Sequence, residues 1–216
     1  MPIRCSSTRQ CCLFLVMTLL TGFVYAEPVA DGNMLKKYRE SFNTSAYPIK
    51  YIFVDAEGKN RDNGCCSSNA PKKIYILDIS AKESSSFIYS PEVNHLIKQN
   101  FEITIDDTSV ISTPEVDYLV LTMSRPHEYN PKSVGCAVGM GEDRAYLISV
   151  ANSRVKVLNR EFFNCAGSYK MVHRDGQTGY EILEYRKGND QPQSVLYVLQ
   201  DRKLIRKENG PYKEDR

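Results

Sequence analysis

The sequence predicts an α+β protein made mostly of antiparallel sheet, and three observations carry that prediction. Two amphipathic stretches with helical spacing lie in the first half of the chain. The other patterned segments are β-branched and aromatic runs bounded by Pro, Gly, Asn, Asp and Ser. From about Gly135 these runs recur at short, regular intervals, too close for crossover connections, so neighbours are expected to pair as a β-meander.

The first 26 residues read as an address. Met1–Gln10 carries Arg4 and Arg9 without an acid, and Cys11–Ala26 carries no charge. That run holds Leu13, Phe14, Leu15, Val16, Leu19 and Leu20 and closes on Val24-Tyr25-Ala26. A basic start, an apolar middle and a small-x-small exit predict a secretory signal peptide cut after Ala26, hence export to a periplasm or beyond the cell. The uncharged run falls short of the roughly 20 residues needed to span a bilayer, so no membrane span is expected once it is removed.

Removal also takes Cys5, Cys11 and Cys12, leaving Cys65, Cys66, Cys136 and Cys165. An even number of cysteines in an exported chain predicts a disulfide framework. A bond between adjacent Cys65 and Cys66 is strained. Either these two reach separately to Cys136 and Cys165, or the strained bond stands beside a Cys136–Cys165 bridge.

Asp31 to Asn43 is the first expected helix, with Met34, Leu35, Tyr38 and Phe42 on one stripe and Asp31 or Asn33 as its cap. The second begins with Ser90 as cap and Pro91 in the first turn, buries Val93, Leu96 and Ile97, and ends at Asn100. Strands are expected at Ile49–Val54, Lys73–Ile79, Phe101–Ile105 and Val116–Met123. In the second half they are expected at Arg144–Val150, Arg154–Leu158, Ser168–His173, Tyr180–Arg186, Ser194–Gln200 and Lys203–Arg206. Asn152-Ser153, Asp175-Gly176, Gly188-Asn189-Asp190 and Asp201-Arg202 punctuate that half.

The chain has 28 Lys+Arg and 26 Asp+Glu, a near balance that gives no electrostatic warrant for nucleic-acid binding. The charge is unevenly placed. Residues 27–130 hold 11 basic and 15 acidic side chains, whereas 131–216 hold 15 and 11. These halves, one mixed and one a β-meander, are expected to pack as one globular unit. On a strand, Arg154 and Lys156 share a face, and with Arg160 and Arg174 they form the candidate binding surface. Its expected partner is another protein with an acidic surface.

Catalytic signatures thin on inspection. His95, His127 and His173 lack paired zinc-ligand spacing. Cys136 with His173 and Asp175 would suit a cysteine hydrolase, but needs a free thiolate. No nucleophile elbow, phosphate loop or dinucleotide fingerprint occurs. Gly135, Gly139 and Gly141 read as a turn or bulge. Asp55–Asn60 reads as a polar hairpin loop, since Lys59 sits where a calcium loop wants an oxygen. Glu181 and Glu184, three apart on a strand, face opposite ways and read as solvent or edge charges. Asn43-Thr44-Ser45 fits an N-glycosylation acceptor. No metal or cofactor is expected. The expectation is an exported, disulfide-stabilised, non-catalytic binding protein of the cell envelope or extracellular space, of inhibitor, immunity or adhesion type. A structural or accessory component of an envelope assembly is the alternative, and a cysteine hydrolase a more distant one.

Overall fold

The computed structural model describes residues 28, 30–42, 49–61, 73–82, 86–126, 141–165, 167–174, 176–184 and 193–211. The expected signal peptide lies outside them, as do His127, Gly135, Gly139 and Asn43-Thr44-Ser45.

Helix α1 spans Gly32–Phe42. Asp31 caps it: its Oδ1 accepts from Met34 N at 2.6 Å and its carbonyl from Leu35 N at 3.1 Å. Strands β1 (Tyr51–Val54), β2 (Tyr75–Asp78) and β3 (Phe87–Tyr89) form a first antiparallel sheet in sequence order. Helix α2 follows at Pro91–Lys98, with Ser90 Oγ accepting from Val93 N. Asn100, beyond its end, adopts φ 63°, the left-handed stop that asparagine tolerates better than most residues.

The second sheet has the order β4 (Glu102–Ser112), β5 (Asp117–Arg125), β6 (Glu142–Ala151), β7 (Arg154–Asn164). The third is a meander of β8 (Ser168–Arg174), β9 (Gln177–Glu184), β10 (Gln193–Gln200) and β11 (Lys203–Pro211). The strands of residues 131–216 are thus divided between two sheets. The 27–130 and 131–216 halves meet inside the second, where β5 and β6 pair continuously from Asp117↔Val150 to Arg125↔Glu142. The hairpins at Asn152-Ser153 and Asp201-Arg202 place both turn residues at positive φ, from 49° to 63°. This is the two-residue geometry whose twist matches the strands it joins.

Side-chain alternation sorts these sheets into layers. Ile52 and Val54 of β1, with Tyr75 and Leu77 of β2, face α1 and pack with Leu35 and Ala30. Tyr51, Phe53 and Ile76 point the other way, into a core shared with Val93 and Leu96 of α2 and with the second sheet. In β5, Leu119, Leu121 and Met123 join that core, whereas Tyr118 and Val120 face the third sheet with Tyr180, Ile182, Val195 and Tyr197. A sheet buried on both faces requires apolar residues at consecutive positions, and Tyr118–Leu121 supplies them.

Asp55 organises the loop after β1. Its carboxylate accepts from Glu57 N at 3.0 Å, Lys59 N at 2.9 Å, and Arg61 Nε and Nη2 at 2.9 and 2.7 Å. Burial opposes ionisation, but the Lys59 amide, the Arg61 guanidinium and the Glu57 amide outweigh it and hold the carboxyl below its ordinary value. Because the folded-state value is depressed, the loop's contribution to stability is present above the unfolded value of about 4 and is lost as pH falls through the folded one. Asp55→Asn should therefore lower stability at neutral pH and flatten the acid limb of a stability-against-pH curve. An unchanged acid limb would show that Asp55 does not contribute to it.

Candidate functional site

β7 is an edge strand of the second sheet. Val155 and Val157 turn inward against the core, which leaves Arg154 and Lys156 exposed on the opposite face. Leu158 follows, still 41% exposed. The register slips there, from Ile148↔Val157 to Leu147↔Asn159, so Leu158 is the extra residue of a bulge. The bulge resets the alternation, and this is why Arg160 leaves the Arg154–Lys156 face. Its Nε and Nη2 donate instead to the two carboxylate oxygens of Glu92, at 2.8 and 3.2 Å. Arg160's hydrogen bonds hold Glu92, in the first turn of α2, below the ordinary carboxylate value. Arg174 stands at the end of β8 in the third sheet, and its side chain lies outside the described residues. Of the four expected binding residues, two share a face.

Among the other described cations of this half, Lys203 and Lys207 are exposed on the edge strand β11 without a carboxylate partner among the described residues, whereas three more are engaged. Arg144 pairs with Glu142, Lys170 with Glu181 at 3.0 Å, and Arg202 with Glu115 at 2.9 Å. For Arg154 and Lys156 no carboxylate partner occurs among the described residues. Glu181 corrects the sequence expectation of a solvent or edge charge: it is 8% exposed. β9 is an inner strand of its sheet, so a carboxylate there needs partners. Lys170, directly opposite, and Ser194 Oγ at 2.5 Å supply them.

Sequence reasoning missed three further carboxylates, the buried Glu142 and Asp117 and the half-buried Asp106, that the fold brings to their partners. Glu142 lies opposite Arg125, which donates to it from Nε at 2.7 Å, and Arg144 closes on its other oxygen. Both guanidiniums stand over the Phe101 ring, at 4.4 and 5.1 Å from its centroid. Asp117 accepts from Lys50 Nζ at 2.5 Å and from the Tyr51 hydroxyl. Asp106 accepts from the Tyr169 hydroxyl and from Thr108 Oγ1 at 2.6 Å. Burial, reinforced by these carboxylates, pushes the Tyr51 and Tyr169 hydroxyls far up, so they remain donors at physiological pH. Such pairs depend on strand register, which no local pattern reveals.

His95 is an exposed residue of α2 whose ring meets Gln99 at 3.1 Å. His173 is exposed on β8 and meets Thr178 Oγ1 at 3.1 Å, while Cys136 and Asp175 lie outside the described residues. Cys65 and Cys66 also lie outside them; Cys165 follows β7, its Sγ 3.4 Å from Asp143 N. Among the described residues no group of three His, Cys, Asp or Glu side chains is placed to hold a metal, and no helix is long and apolar enough to cross a membrane. Comparison with known protein families, curated proteins and solved structures finds no match to this chain.

Proposed function

We propose that this is an exported, disulfide-stabilised, non-catalytic binding protein of the cell envelope or extracellular space, of inhibitor, immunity or adhesion type. It meets an acidic protein surface through Arg154, Lys156 and Leu158. One observation carries the reading: two cations without a carboxylate partner among the described residues share the exposed face of an edge strand, next to an exposed leucine. Elsewhere in this half, Arg144, Arg160, Lys170 and Arg202 are bound to carboxylates of the same chain. A basic rim around an apolar contact steers an acidic partner and then excludes water from it. Export is proposed on the basic start, apolar run and small-x-small exit of Met1–Ala26.

A photo-cross-linking side chain at position 158 of the mature exported protein tests this in its source cells. Adducts with another protein should form at 158 and not at Lys98, an exposed residue of α2. They should fade in the Arg154→Glu, Lys156→Glu double variant. Equal labelling from both positions, or labelling indifferent to the reversals, would overturn the assignment.

A further inference from the structure

The β4 strand leaves its ladder in the middle. Asp106 pairs with Val120, and pairing resumes at Ile111 with Tyr118, so residues 107–110 bulge out opposite Leu119 alone. The bulge is braced from behind. Ser109 Oγ takes the Val120 amide at 2.8 Å, in place of a ladder carbonyl, and the Ser109 carbonyl accepts from Tyr180 at 2.6 Å. Its front, with Thr108 and Val110, forms one wall of a cleft of about 640 Å³, a size typical of small-ligand sites. Phe42 at the end of α1, Ile49 before β1 and Ile79 after β2 form the facing apolar wall.

Arg39 gives this cleft its polarity. Its Nε donates to the Ile79 carbonyl at 2.7 Å and its Nη2 to the Ala81 carbonyl at 2.9 Å. Those bonds fix the guanidinium without neutralising it, and no carboxylate partner for Arg39 occurs among the described residues. Of the other lining charges, Lys50 is held by Asp117, and Asp107 has an interaction of its own although its buried Oδ1 accepts no hydrogen bond among the described residues.

We propose that this cleft binds an amphiphile with an apolar chain and a single carboxylate head, such as a long-chain fatty acid. The chain lies between Phe42, Ile79 and Val110, and the head meets Arg39. A positioned guanidinium favours an anionic oxygen pair over a neutral hydroxyl, while the apolar walls bind the chain whatever its head. The site stands apart from the β7 surface and does not depend on it.

Displacement of a dansyl-labelled undecanoate from the full mature chain, by hexadecanoate and by hexadecanol, tests the proposal. One saturable site is expected. Ser112→Trp, a substitution at an exposed strand residue on the cleft wall, should abolish it. Arg39→Gln should weaken hexadecanoate about ten-fold or more while leaving hexadecanol unchanged, and Arg39→Lys should retain most of the preference. Comparing the two ligands on one Arg39→Gln preparation separates loss of charge from loss of fold. Absence of saturable binding, normal binding to Ser112→Trp, or equal loss of acid and alcohol in Arg39→Gln would overturn the proposal.

Discussion

Phe162→Ala should lower stability by about 3–5 kcal/mol, the cost of emptying a large aromatic site in a packed core. Phe162 is wholly buried. Its ring centroid lies 5.4 Å from Tyr197, 5.6 Å from Tyr180, 5.8 Å from Tyr169 and 6.3 Å from Phe163. It is therefore the hub through which β7 of the second sheet holds the third. The loss also loosens three bonds that cross between these sheets: Tyr180 to the Ser109 carbonyl, Tyr169 to Asp106, and Asn159 to the Tyr197 hydroxyl. Urea unfolding reads the effect as a lower midpoint with an unchanged slope. Phe162→Leu should cost less, because it refills part of the site. Leu158→Ala, four residues earlier on the same strand but exposed, should change stability by no more than about 0.5 kcal/mol.

Glu142→Ala should cost about 3–5 kcal/mol by a different route. Glu142 is buried, and its removal leaves Arg125 and Arg144 facing one another over the Phe101 ring with no negative charge between them. The cost lies in stranded charge more than in lost contact. A double variant, Glu142→Leu with Arg125→Met, should therefore recover much of the stability that Glu142→Ala loses, because it removes the carboxylate together with the more buried of its two guanidiniums and leaves only the partly exposed Arg144. If the double variant is as unstable as the single one, packing and not charge governs this corner.

Helix ends and tight hairpins were legible because their signals are local. Ser90, Pro91 and Asn100 mark α2, and Asn152-Ser153 and Asp201-Arg202 mark two turns, each by its own backbone preference. What escaped depends on residues far apart in the chain. β3 is a three-residue strand that exists because β2 offers it an edge. β4 runs seven residues beyond its expected end at Ile105, through a bulge that Ser109 and Tyr180 brace. β7 continues past Leu158 to Asn164, placing Phe162 in a core that its local pattern does not announce.

The candidate surface divides along the same line. Strict alternation puts Arg154 and Lys156 together, and one inserted residue, Leu158, sends Arg160 to Glu92. The cleft at Arg39 was not legible at all. It is assembled from four separated segments around the β4 bulge.

The most direct test of the binding assignment is the association rate of the partner captured at position 158, measured with the wild-type chain and the Arg154→Glu, Lys156→Glu variant at low and high salt. Both cations are exposed, so the reversals should leave the unfolding midpoint in place. At low ionic strength the variant should associate about ten-fold or more slowly, with a smaller change in dissociation. The two rates should converge near 1 M salt, where the screening length falls to about 3 Å. Equal rates for both chains at low salt would contradict the account.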